Sequence, residues 1–220
     1  MMKDLLNYKS VPKVFIIESL GADDVNNHRC DGKILEAQLK LLGEEPVYRY
    51  VLNVSDLRKA LCEFDEAEFR FLHISCHGDS SKVYLAANPC GESYTEFAKC
   101  FSSKVALSRV TFSACKLGSK YFFKEFYRWN KGVQSVAAPM NDLPFQRGSL
   151  YWAAYYTKLI EECRISNNHI HRDFIECVVP LLSRALNVSM RYAIYEPNKN
   201  RVKVQMTKQG RPLYMTPWSP

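Results

Sequence analysis

Phe69-Arg70-Phe71-Leu72-His73-Ile74-Ser75-Cys76-His77-Gly78 and Val110-Thr111-Phe112-Ser113-Ala114-Cys115-Lys116-Leu117-Gly118 are the two stretches that decide the fold. Each begins as a short apolar run rich in β-branched and aromatic side chains, the pattern of a strand buried on both faces. Each then passes into small residues and a glycine, where a strand stops. Strands buried on both faces belong to parallel sheets covered by helices on either side. A third such run, Val14-Phe15-Ile16-Ile17, lies upstream and reads as a central strand.

Around these runs, strand and helix patterns alternate. After a polar loop, Asp31 is placed to cap a helix whose apolar positions Leu35, Leu39 and Leu42 recur at helical spacing, with Gly43 as its stop. Residues 47–52 predict a strand, Ser55 caps a helix running to about Glu63, and residues 69–75 form the next strand. Residues 83–85 read as a small strand and 94–101 as a helix, before the strand at 110–112. Helix 120–129, strand 133–138, the longest helix at 145–162 and a helix at 172–186 follow. Strands 192–195 and 202–206 then flank the turn Pro197-Asn198-Lys199-Asn200. This order predicts an α/β fold, a three-layer αβα sandwich with a mostly parallel central sheet. No repeat, low-complexity tract or linker divides the sequence, so a single domain over residues 1–220 is expected.

With 220 residues, 47% hydrophobic and 24% charged, the chain has the size and composition of one hydrophobic core. Its apolar runs, such as 14–17 and 133–138, are too short to span a bilayer, and residues 1–10 lack the apolar stretch of a secretory signal. A soluble, cytoplasmic protein without membrane contact is the expectation. The eight cysteines are scattered, with no export signal, and read as free thiols. His73, Cys76 and His77 could supply metal ligands, but no CxxC pair occurs, so neither metal nor other cofactor is expected. The net charge of +7 comes from dispersed Lys and Arg residues that never form a run of five, the pattern of a solvated face and not of a nucleic-acid partner. The most basic part, 198–211, reads as an exposed hairpin with charged edges.

In a mostly parallel sheet, function gathers at the carboxyl ends of the strands. His77 and Cys115 each terminate a strand, 38 residues apart in sequence. If those strands are neighbours, an imidazole and a thiol face one site across roughly 5 Å. A thiol becomes a nucleophile when a base accepts its proton, and an imidazole titrates in the right range to do so. Attack on a peptide carbonyl creates an oxyanion that needs fixed N–H donors, and the Gly78 and Cys115 backbones are placed to supply them. Gly78 carries no Cβ to obstruct a substrate carbonyl. His73 lies within its strand and reads as a core histidine, and Cys76 points to the opposite side of the strand from His77 and is structural.

These residues carry a resemblance. His73-Ile74-Ser75-Cys76-His77-Gly78 resembles the H-x-x-C-H-G segment of CHAT domains, and Ser113-Ala114-Cys115-Lys116-Leu117-Gly118 their S-A-C-x-x-G segment. Pro139-Met140-Asn141-Asp142, followed by a helix through Tyr155-Tyr156 and Leu159, is similar to their P-V-D-D segment and F-Y-x-x-L helix. The resemblance covers residues 14–186 in order of elements, with motifs in three short blocks. It implies a caspase-like cysteine endopeptidase, in a group that includes separases, metacaspases and gingipains, acting on protein substrates with His77 and Cys115 as catalytic pair. In that group the residue before the scissile bond is read from the end of the first strand, the position before the cysteine, and the loop after the next strand. Here those places hold Glu18, Ser113 and Met140-Asn141-Asp142, with no arginine. A substrate aspartate would meet Glu18 or Asp142, so a neutral or basic residue is expected there. Both carboxylates read equally well as helix or turn caps.

The resemblance also implies regulation by an activating partner or small-molecule signal that orders loops 88–92 and 140–147, and, by analogy with bacterial relatives, a role in defence. Two other readings exist. A CHAT-like fold could keep its motifs and serve as a binding or sensor module. An α/β domain acting on nucleotides would also open on a strand like 14–18, but neither GxGxxG nor GxxxxGK[ST] occurs.

Overall fold

The computed structural model of the chain describes residues 5–7, 13–167, 169–171, 173–196 and 201–207. The elements up to the first reactive strand are β1 (Leu5–Asn7), β2 (Val14–Ser19), α1 (Ala22–Asn26), α2 (Asp31–Leu41), β3 (Val47–Tyr50), α3 (Val54–Glu66) and β4 (Phe71–Gly78). Next come β5 (Lys82–Tyr84), β6 (Glu92–Ser93), α4 (Tyr94–Cys100), β7 (Arg109–Ser113), α5 (Lys120–Trp129) and β8 (Ser135–Pro139). α6 (Phe145–Ile165), β9 (His169–His171), α7 (Phe174–Ala185), β10 (Met190–Glu196) and β11 (Arg201–Met206) complete the order.

The main sheet runs β11-β10-β8-β7-β4-β2-β3. From β3 to β8 its neighbours are parallel, and β10 and β11 add an antiparallel end. Side chains alternate across it as a period of two requires. Phe15 and Ile17, Leu72 and Ile74, and Val110 and Phe112 enter a core shared with α3, α4 and α5. Val14 and Ile16, Phe71, and Met190 and Tyr192 enter a second core shared with α2, α6 and α7. Three layers result, as the sequence pattern requires. The first core centres on Phe112, whose ring lies 5.1 to 6.2 Å from those of Phe97, Phe101, Phe122 and Phe126.

Several local expectations differ. The polar loop after β2 contains the short helix α1. Cys30, not Asp31, occupies the N-cap of α2, because the Asp31 side chain turns inward to serine hydroxyls. Asn53 takes the cap expected of Ser55, its Oδ1 accepting from the Asp56 N–H at 3.1 Å. The strand expected over 133–138 begins at Ser135 and continues through Pro139. β1 pairs with β9 in a separate small sheet that periodicity does not disclose. The turn at 197–200 and the end of the basic stretch, 208–211, lie outside the described residues. No described helix is long and apolar enough to cross a membrane.

Phe112→Ala leaves a cavity at a point where four rings meet, with Phe112 itself fully buried. It is expected to cost about 3–5 kcal/mol, measured as a lowered urea midpoint with the slope unchanged.

Candidate functional site

The chain leaves β2 for the edge strand β3 by way of α2, on one face of the sheet, and leaves β4 in the other direction through α4, on the opposite face. The connections therefore part between β2 and β4, and it is at the carboxyl ends of the strands beside such a switch point that open α/β sheets form a crevice for ligands. His77 belongs to this rim. β4 pairs with β7 in parallel with Ser75 opposite Ser113, so the register carries His77 two residues on to the level of Cys115.

The cysteine sits on a tight turn. The Leu117 N–H donates to the Ala114 carbonyl at 3.4 Å, and Lys116 adopts φ +60, a left-handed conformation that costs a side-chain-bearing residue energy. Neighbouring chain holds this shape: the Lys116 N–H donates to Asn141 O at 3.2 Å, and the Gly118 N–H to Pro139 O at 2.7 Å. Gly118 approaches so closely that a Cβ there would lie 2.7 Å from Ala138 O. Gly78 packs against the same turn, since its Cβ would stand 2.8 Å from Cys115 O and 2.7 Å from Leu117 Cδ1. The missing side chain at Gly78 thus makes room for the cysteine turn, a reason additional to the substrate access expected from sequence.

Cys115 Sγ accepts the Leu143 N–H at 3.3 Å and lies 3.8 Å from the Leu143 carbonyl oxygen, so the backbone of Leu143 fixes the position of the sulfur. His77 Nε2 lies 2.7 Å from Asp24 Oδ2, with the Phe145 ring edge-on to the imidazole at 5.9 Å. A carboxylate accepting the Nε2–H leaves Nδ1 with its lone pair, the form in which an imidazole acts as a base. Sequence reasoning missed Asp24. The available signal was an acidic pair, Asp23-Asp24, following the end of a strand adjacent to that of the histidine.

One rung below, Glu18, Ser75 and Ser113 lie side by side on β2, β4 and β7. Asp31 reaches them from the start of α2, accepting from the Ser75 and Ser113 hydroxyls. Glu18 accepts the Gly32 N–H at 2.8 Å, the Tyr48 hydroxyl at 2.7 Å and the Ser75 hydroxyl at 3.2 Å. Gly32 admits this carboxylate, because a Cβ there would lie 3.0 Å from Glu18 Oε1. Burial raises both carboxyl pKa values, and for Glu18 the charge of Asp31 adds to the effect. Of the three residues expected to read substrate, Glu18 and Ser113 therefore come together through Asp31, which the sequence offered only as a helix cap. Asp142 is apart from them, exposed and paired with Lys116 Nζ at 3.0 Å.

His73 and Cys76 are structural, as expected. Burial pushes the His73 imidazole down to about 3, and its Nδ1 lies 3.0 Å from Thr111 Oγ1. Cys76 faces the first core, where burial pushes its thiol up. Among the described residues, no three His, Cys, Asp or Glu side chains converge as a metal-binding group.

No family model and no curated protein matches the chain. Among solved structures it is similar to the crystal structure of the Arg-specific cysteine proteinase gingipain R, at 13% identity and a TM-score of 0.46. The match covers 68% of this chain and 37% of that one.

The Ser75 hydroxyl touches two carboxyls but owns one proton, so the Glu18-Ser75-Asp31 row is satisfied when one carboxyl is protonated. Carboxyls whose pKa rises on folding stabilise the protein fully below their unfolded values, near 4, and that stability is lost as pH rises through the raised values. The wild type should lose up to about 1.4 kcal/mol per pH unit for each such group across that window. Glu18→Gln, which keeps the shape and the acceptor for Gly32, is expected to flatten the decline, read as melting temperature against pH from 4 to 8.

Proposed function

We propose that the chain is a cysteine endopeptidase in which His77 and Cys115 are the catalytic pair and Asp24 positions the histidine. The observation that carries this reading is the array at the sheet rim: Asp24 on His77 Nε2, His77 on β4, and Cys115 on a strained turn at the end of the adjacent strand. His77 Nδ1 takes the Cys115 thiol proton, and the thiolate sulfur bonds to the substrate carbonyl carbon. The oxyanion is met by the backbone N–H groups of Gly78 and Cys115. His77 then returns the proton to the leaving amine as the peptide C–N bond breaks, and water hydrolyses the resulting thioester.

The substrate residue before the scissile bond is basic in this reading, drawn by Glu18 and Asp31. A guanidinium or ammonium placed there favours ionisation of both carboxyls and expels the proton they share. Reaching Asp31 requires the Ser113 hydroxyl to turn away from it, because Asp31 is almost fully buried. An activating partner or small-molecule signal acting on loop 140–144, since residues 145–147 already belong to α6, is the event that opens this floor, and Leu143 of that loop contacts the Cys115 sulfur.

An electrophilic peptide probe should modify Cys115, with labelling abolished in Cys115→Ala and slowed at least about tenfold in His77→Ala. Asp24→Asn should lower kcat by about tenfold to a hundredfold with little change in KM and displace the acid limb of the pH profile, which a merely structural role would not do. Equal labelling in wild type and His77→Ala sinks the dyad.

The residue preference has its own test. Digestion of a peptide library should give cuts after Arg or Lys, lost on Asp31→Asn. Strict cleavage after aspartate refutes the assignment of Glu18 and Asp31.

A further inference from the structure

The antiparallel end of the sheet carries a second recess. α5 presents Lys120, Phe123, Lys124, Tyr127 and Arg128 along one stripe toward β10 and β11. Strand register sets Arg191 opposite Met206, Ala193 opposite Val204 and Tyr195 opposite Val202, so these residues share the face on which α5 packs. α5 does not cover that face to its edge, and Val204 and Met206 stay about half exposed. A groove of about 640 Å³ remains between helix and strand, within the size range of small-molecule sites.

The charge of this groove is one-signed. Lys120, Lys124 and Arg128 stand on its rim and Arg191 beneath them, with no carboxylate among the described residues of its lining. Among the described residues, Arg128 has Glu125 at 3.7 Å, while no carboxylate lies within ion-pair distance of Lys120, Lys124 or Arg191. Arg191 is only 6% exposed. Its Nη1 donates to the Gly118 carbonyl, and among the described residues its Nη2 meets Met206 Sδ at 4.0 Å, a weak acceptor. Burial pulls its pKa below the usual arginine range, the mark of a cation held without a counterion.

We propose that this groove binds a nucleotide, its phosphates against Lys120, Lys124 and Arg191 and its base against the apolar face formed by Tyr127, Val204 and Met206. Charge complementarity selects an anion, and the uncovered apolar wall selects one that carries a ring. The recess lies on the face of β11 and not along its hydrogen-bonding edge, which suits a compact ligand better than an extended acidic peptide added as a strand. Gly118, the acceptor for Arg191, is the last residue of the Cys115 turn. A phosphate competes with that carbonyl for the guanidinium, so occupancy of the groove is felt at the cysteine. Binding itself does not depend on the peptidase reading.

Calorimetric titration of the full chain with ATP, tripolyphosphate and adenosine tests this. ATP is expected to bind, each fragment more weakly, and the exposed double variant Lys120→Glu/Lys124→Glu to lose at least about tenfold in affinity, about 1.4 kcal/mol. ATP should also change the rate of Cys115 alkylation by iodoacetamide by about fivefold in the wild type and not in that variant. Absence of ATP binding at millimolar concentration, unaltered binding in the variant, tripolyphosphate binding as tightly as ATP, or affinity for an acidic peptide or oligonucleotide alone would each overturn the site. ATP that binds without altering alkylation overturns its link to the cysteine.

Discussion

The parallel pairing of β4 with β7 sets everything at the rim. Ser75 opposite Ser113 puts His73, Ser75 and His77 on one face of β4 and Leu72, Ile74 and Cys76 on the other. A slip of one residue would turn His77 into the phenylalanine core and Cys76 toward the crevice. A polar rung guards against that slip. His73 lies opposite Thr111, their Nδ1 and Oγ1 3.0 Å apart, and Thr111 continues to the Tyr156 hydroxyl at 2.7 Å. Because burial keeps His73 neutral, this rung carries no charge that would change with pH near neutrality. His73 is thus a device that fixes the register by which β4 brings His77 to the rim.

The same register makes the floor of the crevice acidic. Glu18 lies opposite Ser75, and Ser75 opposite Ser113, so three polar side chains cross three strands in one row, with Asp31 entering from α2. Two carboxyls in so dry a place repel one another and lose hydration, which alone would expel them. Five hydrogen-bond contacts hold them there. Both carboxyl pKa values are raised by burial, so neutralising charge in this row favours the folded state.

The order of elements was legible because strands buried on both faces announce themselves as uninterrupted apolar runs, as at 14–17 and 110–112. His77 and Cys115 were legible because each directly follows such a run. Asp31 was misread for a physical reason: an acid before a helical pattern is ordinarily a cap, and nothing local shows that serines 44 and 82 residues away will claim it. Asp24 was missed likewise, its partner being 53 residues distant across the sheet. That Gly78 seats the cysteine turn was not legible, because a missing Cβ reports crowding without naming the neighbour. In each case tertiary contact, which no local pattern shows, chose the partner.

The left-handed Lys116, the buried pair Glu18 and Asp31 and the buried guanidinium of Arg191 lie around the carboxyl ends of the parallel strands, while other left-handed residues, Glu68, Ser103 and Leu107, precede β4 and β7. The core of Phe97, Phe101, Phe112, Phe122 and Phe126 is packed ring against ring. The Cys115 turn joins these features: Lys116 bends it, Gly78 seats it against β4, Leu143 touches its sulfur, and Gly118 ties it to β8 and to Arg191. A turn held from so many directions keeps its strained shape only while each of those contacts is kept.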